Sequence, residues 1–205
     1  MKNKGAVAGL LIFALVVAVA VCAPLLYDMS PWMMVAEPLL TPFQDPQYPL
    51  GTDMLGRDIG AGMAYGAQVS LIISLVSTAV AVVVGVTIGA IAGYHGGWVD
   101  DLLMRITEFF QTIPQLAMAV VLVAIFTPSL YSIVGAIALV SWPPVARLVR
   151  SEFLTLRQRE FVQAAVVIGL RPSRIIFTQI LPNAMSSIII TASLMVATAI
   201  LTESA

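Results

Sequence analysis

Residues 69–94 read VSLIISLVSTAVAVVVGVTIGAIAGY, 26 positions without a single Asp, Glu, Lys, Arg or His. As a helix the stretch extends about 39 Å at about 1.5 Å per residue, more than the roughly 30 Å of hydrocarbon in a bilayer. Backbone groups in lipid must bond within their own segment, so a run of this kind crosses as a helix. The rest of the chain agrees. Of its 205 residues 60% are hydrophobic and 10% charged, and the mean hydropathy is +0.98. A soluble fold has too little interior to hide that much apolar surface.

Four further segments have similar character: about Gly5 to Leu26, Phe109 to Phe126, Leu130 to Leu148, and Ala184 to Thr202. The fold class expected is therefore all-α, a polytopic transmembrane helical bundle with five spans. Lys2 and Lys4 give the first segment the basic start of a signal peptide. Its apolar stretch exceeds the 7–15 residues of a signal core, and Val21 before Cys22 is a poor cleavage site, so it reads as a retained helix.

The division expected is residues 1–27 as a first helix, 28–68 as an external loop, and 69–205 as a transmembrane core with a loop at 150–182. The external stretch holds Pro31, Pro38, Pro42, Pro46 and Pro49, five carboxylates, and Arg57 as its only cation. With five crossings the nine other cations, Lys2, Lys4, Arg105, Arg147, Arg150, Arg157, Arg159, Arg171 and Arg174, fall on one side. The positive-inside rule then makes the N-terminus cytoplasmic.

Several chemistries are excluded or disfavoured. A net charge of −1 offers no basic face for nucleic acid. Cys22 and His95 are each the only one of their kind, which leaves no thiolate cluster and little room for a zinc site or a histidine-based triad. Lysine occurs only at Lys2 and Lys4, so the glycine-rich phosphate loop ending in lysine has no counterpart here. No catalytic residue, metal or cofactor is expected; ATP, if used, is bound by another subunit.

Gly85, Gly89 and Gly93 form a small-residue stripe that either permits close helix packing or is the ordinary glycine of membrane helices. Pro143 and Pro144 are expected to distort the fourth span, while Pro114 near the start of the third is better tolerated.

The loop from Arg150 to Pro182 is too long and too patterned for a connector. Phe161, Ala164, Ala165 and Ile168 share one face of a short helix, Gly169 ends it, and Pro172 opens a second helix through Ile175, Ile176 and Ile180. Read from composition alone, this is an arginine-rich loop packed on its own bundle. The spacing resembles more. Permeases of ABC importers carry a cytoplasmic E-A-A-x3-G-x9-I-x-L-P element whose helix docks on the ATPase. Here Gln163, Ala164, Ala165, Gly169, Leu181 and Pro182 stand in its register, with Gln163 for glutamate and Gln179 for isoleucine.

A second element, Leu50-Gly51-Thr52-Asp53-Met54-Leu55-Gly56-Arg57-Asp58, resembles the L-G-T-D-x-x-G-R-D of the dipeptide/oligopeptide/nickel permeases. Tyr65 to Leu71, the opening Lys2-Asn3-Lys4-Gly5-Ala6 and the run Ala92 to Gly97 continue the likeness, which is to the second, C-type permease of the pair. The resemblance implies a translocation subunit for peptides, nickel or a similar solute in a prokaryotic plasma membrane. Its implied partners are a homologous permease, ATP-binding subunits, an extracytoplasmic substrate-binding protein and lipid. The family has six spans and continues past Leu201-Thr202-Glu203-Ser204-Ala205, so the resemblance also implies truncation at the C-terminus. A secondary transporter would bring inverted repeats and midplane charges, which are not seen; for a membrane scaffold both motifs would be coincidence.

Of the remaining ionisable groups, Asp53, Arg57 and Asp58 form either a partner-contacting cluster or a loop-fixing one. Arg105 and Glu108 are expected to pair locally, Asp100 and Asp101 to be a solvated helix start, and His95 to be interfacial. The topology predicts that, with Cys22→Ser as background, Asp45→Cys and Arg157→Cys label oppositely with an impermeant thiol reagent in intact cells. Labelling of both from outside refutes the map.

Overall fold

The computed structural model describes residues 4–126 and 129–204, which leaves Lys2, Asn3 and Ala205 outside the described residues. The described chain is helical, with isolated β-bridges but no strand. It divides into two compact units, one ending at Ile72 and one beginning at Ile73.

In the first unit α1 (Lys4–Leu26) is apolar on all sides, and only Ala20 and Ala23 are buried. The following loop has no regular structure beyond two bridges, Met34 with Arg57 and Thr52 with Asp58. It ends where α2 (Ile59–His95) begins. The helix starts ten residues before Val69, where the sequence reading placed the span.

The second unit holds the later part of α2, then α3 (Gly97–Thr112), α4 (Gln115–Ile125), α5 (Leu130–Arg157), α6 (Glu160–Val167), α7 (Pro172–Ile175) and α8 (Leu181–Glu203). Its organising helix is α5, which packs on α3, α4, α6 and α8. Ser129 caps its start, accepting from the Ser132 backbone while the Ser132 hydroxyl accepts from the Ser129 N–H.

α5 also meets α2, and there the glycine stripe proves to be a packing surface. A methyl group on Gly85 would lie 2.6 Å from Val145 Cβ and one on Gly93 2.6 Å from Phe153 Cβ. One on Gly89 would collide with the Ala146 carbonyl oxygen. Buried Ser77 and Thr107 cost little, since each hydroxyl donates to the carbonyl one turn back, Ile73 and Leu103 respectively.

The expected third span is broken. The residue before a proline is driven from the helical region, and Ile113 is extended at φ −93, ψ 129. α3 and α4 consequently meet at 82°. Among the described residues four helices are long and apolar enough to cross a membrane, and a fifth if the bent pair counts as one. The proline pair of α5 causes less disruption. Pro144 has no N–H for the carbonyl of Val140, four residues back. Gln115, the first residue of α4, supplies that donor through Nε2 at 3.3 Å.

Nor is the fifth span separate from the second short helix of the loop. The chain is helical from Pro172 to Glu203, jointed by a π turn at Ile176–Ile180 in which the Leu181 N–H reaches back to Ile176 O. Pro182 lies just beyond it, without a donor for the ordinary ladder.

The α2–α5 contact makes a paired prediction. Gly89→Ala should destabilise the detergent-solubilised protein by about 1–3 kcal/mol through overpacking. Gly66→Ala, in the same helix with nothing within 4 Å, should be neutral or gain up to about 1 kcal/mol of helix propensity. Thermal unfolding followed by a fluorescent thiol dye compares the two, and equal shifts would discard the close-approach account.

Candidate functional site

The loop between α5 and α8 folds as a helix, a sharp turn and a second helix. α6 ends in a Schellman arrangement: Gly169 N–H donates to Val166 O at 3.0 Å and Leu170 N–H to Ala165 O at 3.1 Å. Gly169 takes φ +78, where a β-carbon costs about 1–2 kcal/mol. Arg171 then turns extended, and Pro172 starts α7 at the position where its missing N–H is harmless.

α6 buries Val162 and Ala165, of which only Ala165 belongs to the face shared by Phe161, Ala164 and Ile168. Val162 and Ala165 enter a cluster with Val149 and Phe153 of α5 and Ile175, Ile180, Ala184 and Ile188 of the following helices. Phe161, Ala164 and Ile168 point outward instead, joined by Val167, which is 85% exposed. Three of the four residues that share a face by their spacing therefore lie on an outer surface, and only Ala165 is buried. Helical spacing shows that residues share a face, not which way the face is turned. Gln163, standing where the resembling element has glutamate, donates its amide to Arg157 O at 2.9 Å. It satisfies one of the carbonyls left open at the end of α5, which a carboxylate has no proton to do.

The stem of this unit is held by a contact that sequence reasoning missed. Asp100, expected to be solvated, is buried in the first turn of α3 and grips Arg150 of α5 with both oxygens, at 2.5 Å to Nε and 2.6 Å to Nη2. A bidentate, charge-assisted pair is the strong form of such a bond. Arg157, two turns further on, donates to His95 O at 3.4 Å and lies 5.8 Å above the Tyr94 ring. His95 itself is exposed at the end of α2. The corner between α2 and α3 thus clamps the end of α5 at two points. No local signal marks Asp100, since its partner lies 50 positions away. Arg105 and Glu108, expected to pair, form no ion pair with each other.

In the first unit, the Gly51–Asp58 element ties the loop to itself. Thr52 is buried, donating its hydroxyl to Glu37 O at 2.6 Å and accepting from Leu40 N at 3.0 Å. Asp53 Oδ1 accepts from the backbone of Leu55 at 2.8 Å and Arg57 at 2.9 Å. The Arg57 N–H bond, followed by that from Leu55 and the Arg57 charge, holds the Asp53 carboxyl below its ordinary pKa. The turn is therefore supported wherever Asp53 is ionised, and loses that support as pH falls through the lowered value. Asp58 accepts from Gly60 N at 2.8 Å and opens α2. Gly51 and Gly56, at φ +79 and +75, leave no room for a β-carbon against Leu40 O and Ala36 O. The Arg57 guanidinium lies 5.5 Å above Trp32.

Both elements thus have a geometry of their own, and the comparisons match on either side. The model of the binding-protein-dependent transport system inner membrane component covers residues 85–205. That of the N-terminal transmembrane domain of oligopeptide transport permease C covers residues 1–51. The chain is 41% identical, over its whole length, to the dipeptide transport system permease protein of Alkalihalophilus pseudofirmus. The chain belongs to the binding-protein-dependent transport permeases. It is also 36% identical over 98% of its length to an oligopeptide transport system permease protein of Bacillus subtilis, and 38% over its whole length to one of Escherichia coli. These alignments span 67%, 66% and 68% of the respective relatives. The family is one of membrane transport components, not of enzymes.

Breaking the clamp on one side should cost more than removing it altogether. Asp100→Ala strands Arg150 and should destabilise the solubilised chain by about 2 kcal/mol. Asp100→Leu with Arg150→Met removes both charges and should be milder. A double-mutant cycle on thermal midpoints tests this, and additive losses would mean that the pair is not coupled.

Proposed function

We propose that this permease forms one half of the path by which an importer moves peptides or a similar small solute across the plasma membrane. A homologous permease forms the other half, an extracytoplasmic binding protein delivers the cargo, and separate ATP-binding subunits supply the energy. The observation that carries the coupling is the outer face of α6. Phe161, Val167 and Ile168 are 40%, 85% and 74% exposed at a tip where Arg159, Arg171 and Arg174 are exposed as well. An apolar patch rimmed by polar groups marks a protein-docking surface. In this reading Ala164 and Ala165 keep the helix slim, Gln163 secures its base, Gly169 makes the turn, and Leu181 and Pro182 join it to α8.

The packing gives such a docked helix something to move. Val162 and Ala165 share one core with α5 and α8, so a displacement of α6 passes into both long helices as a rigid-body shift. The orientation that suits this reading places the N-terminus and α6 in the cytoplasm and the Gly51–Asp58 element outside. There Gly51, Thr52, Asp53, Gly56, Arg57 and Asp58 hold a rigid surface for the binding protein. The names of the relatives, dipeptide and oligopeptide permeases, favour peptides as the cargo.

Val167→Asp with Ile168→Asp should leave the chain in the membrane and weaken co-purification of the ATP-binding subunit by at least about tenfold, since each buried aliphatic side chain is worth about 1.5–3 kcal/mol. Peptide uptake should fall with it. Undiminished co-purification and uptake would show that α6 is not the docking helix.

A further inference from the structure

Apart from the arginine-rimmed tip of α6 and α7, one helix carries a row of exposed charges. Along α3, Asp101, Arg105 and Glu108 follow one another at helical spacing, and all three are exposed. Beside them Trp98, Leu102, Ile106 and Phe109 form a separate exposed apolar stripe. The charged stripe faces α5, where Arg147, Arg150 and Ser151 form the opposite wall of a groove of about 650 Å³. Its charges are not spent on one another. Arg150 is committed to Asp100, but Arg147 bonds the neutral Gln111 amide at 3.0 Å. Asp101, Arg105 and Glu108 take part in no ion pair among the described residues.

In the orientation proposed above these groups lie at the cytoplasmic end of the bundle, where charges of both signs face water or the bundle interior, not lipid. A groove lined by both cations and anions is complementary to a molecule carrying both. A free peptide is such a molecule, its ammonium and carboxylate about 7 Å apart when two residues long. The volume is within the range of small-molecule sites.

We infer that the α3–α5 groove is a transit site for the charged ends of the peptide cargo, Glu108 receiving cationic groups and Arg105 with Arg147 receiving carboxylates. The inference rests on the transport reading above and adds to it a place where this chain meets its cargo. The groove is open and its arginines are solvated, so the contact is weak and short-lived, as a conducting path requires.

The test uses the assembled importer in native membranes, with Cys22→Ser as background. Glu108→Cys and Ser151→Cys should react with a small cationic thiol reagent, and saturating dialanine should slow that reaction. Glu108→Gln should lower uptake of dilysine relative to diglutamate by about fivefold, and Arg147→Gln should shift the ratio the opposite way, as expected when a lining charge focuses mobile ones. Glu108→Asp, which keeps the charge, should restore the ratio. If neither ratio moves, or if Glu108→Cys resists the reagent and instead forms a disulfide with the partner permease, the groove is a subunit interface and the inference fails. A wild-type importer that takes up none of the three dipeptides would sink the transport reading itself, while the labelling result stands separately.

Discussion

The second unit depends on the contact between α2 and α5. Three glycines one turn apart bring the two backbones so close that a methyl group at Gly89 would strike the carbonyl of Ala146. Lipid supplies no hydrophobic drive between helices, so such close approach, with its dispersion contacts, must stand in for it. The rest of the unit uses α5 as the common element: α3, α4 and α8 pack along it, and α6 packs on it as well.

Pro144 sits inside α5 where another group makes good the loss. Pro114 ends α3 and leaves Gln115 to open α4, and the same Gln115 supplies the donor that Pro144 withholds from Val140. Pro182 lies beside the widened turn between α7 and α8. Backbone groups at membrane depth need internal partners, and broken helices are tolerated only where such partners are provided. The bend of the third segment and the unbroken run of α5 through two prolines are two results of that one rule.

The two elements that carry the proposed contacts are built differently. The Gly51–Asp58 element is a rigid loop held by side chain to backbone bonds, and each residue of its motif has a local task. The α6 unit has its inner face in the core and its outer face bare, anchored by Gln163 below and Gly169 at the tip. A loop that fixes itself suits a stationary docking surface, and a helix sharing a core with two long helices suits a moving one.

Composition and hydropathy alone determined that the chain is a membrane helical bundle, because a run such as 69–94 has no other stable state in lipid or out of it. The helix–Gly169–helix pattern was equally legible, since caps and turns depend on neighbours in the chain. Which face of α6 is buried was not, and neither was the meaning of the glycine stripe. Both depend on what stands opposite, and Val149, Phe153 and Ala146 lie far from their partners in sequence. The burial of Asp100 is the clearest case. An aspartate in a helix's first turn satisfies its local preferences in water, and only the arrival of Arg150 from another helix, supplying two charge-assisted bonds, makes its burial favourable.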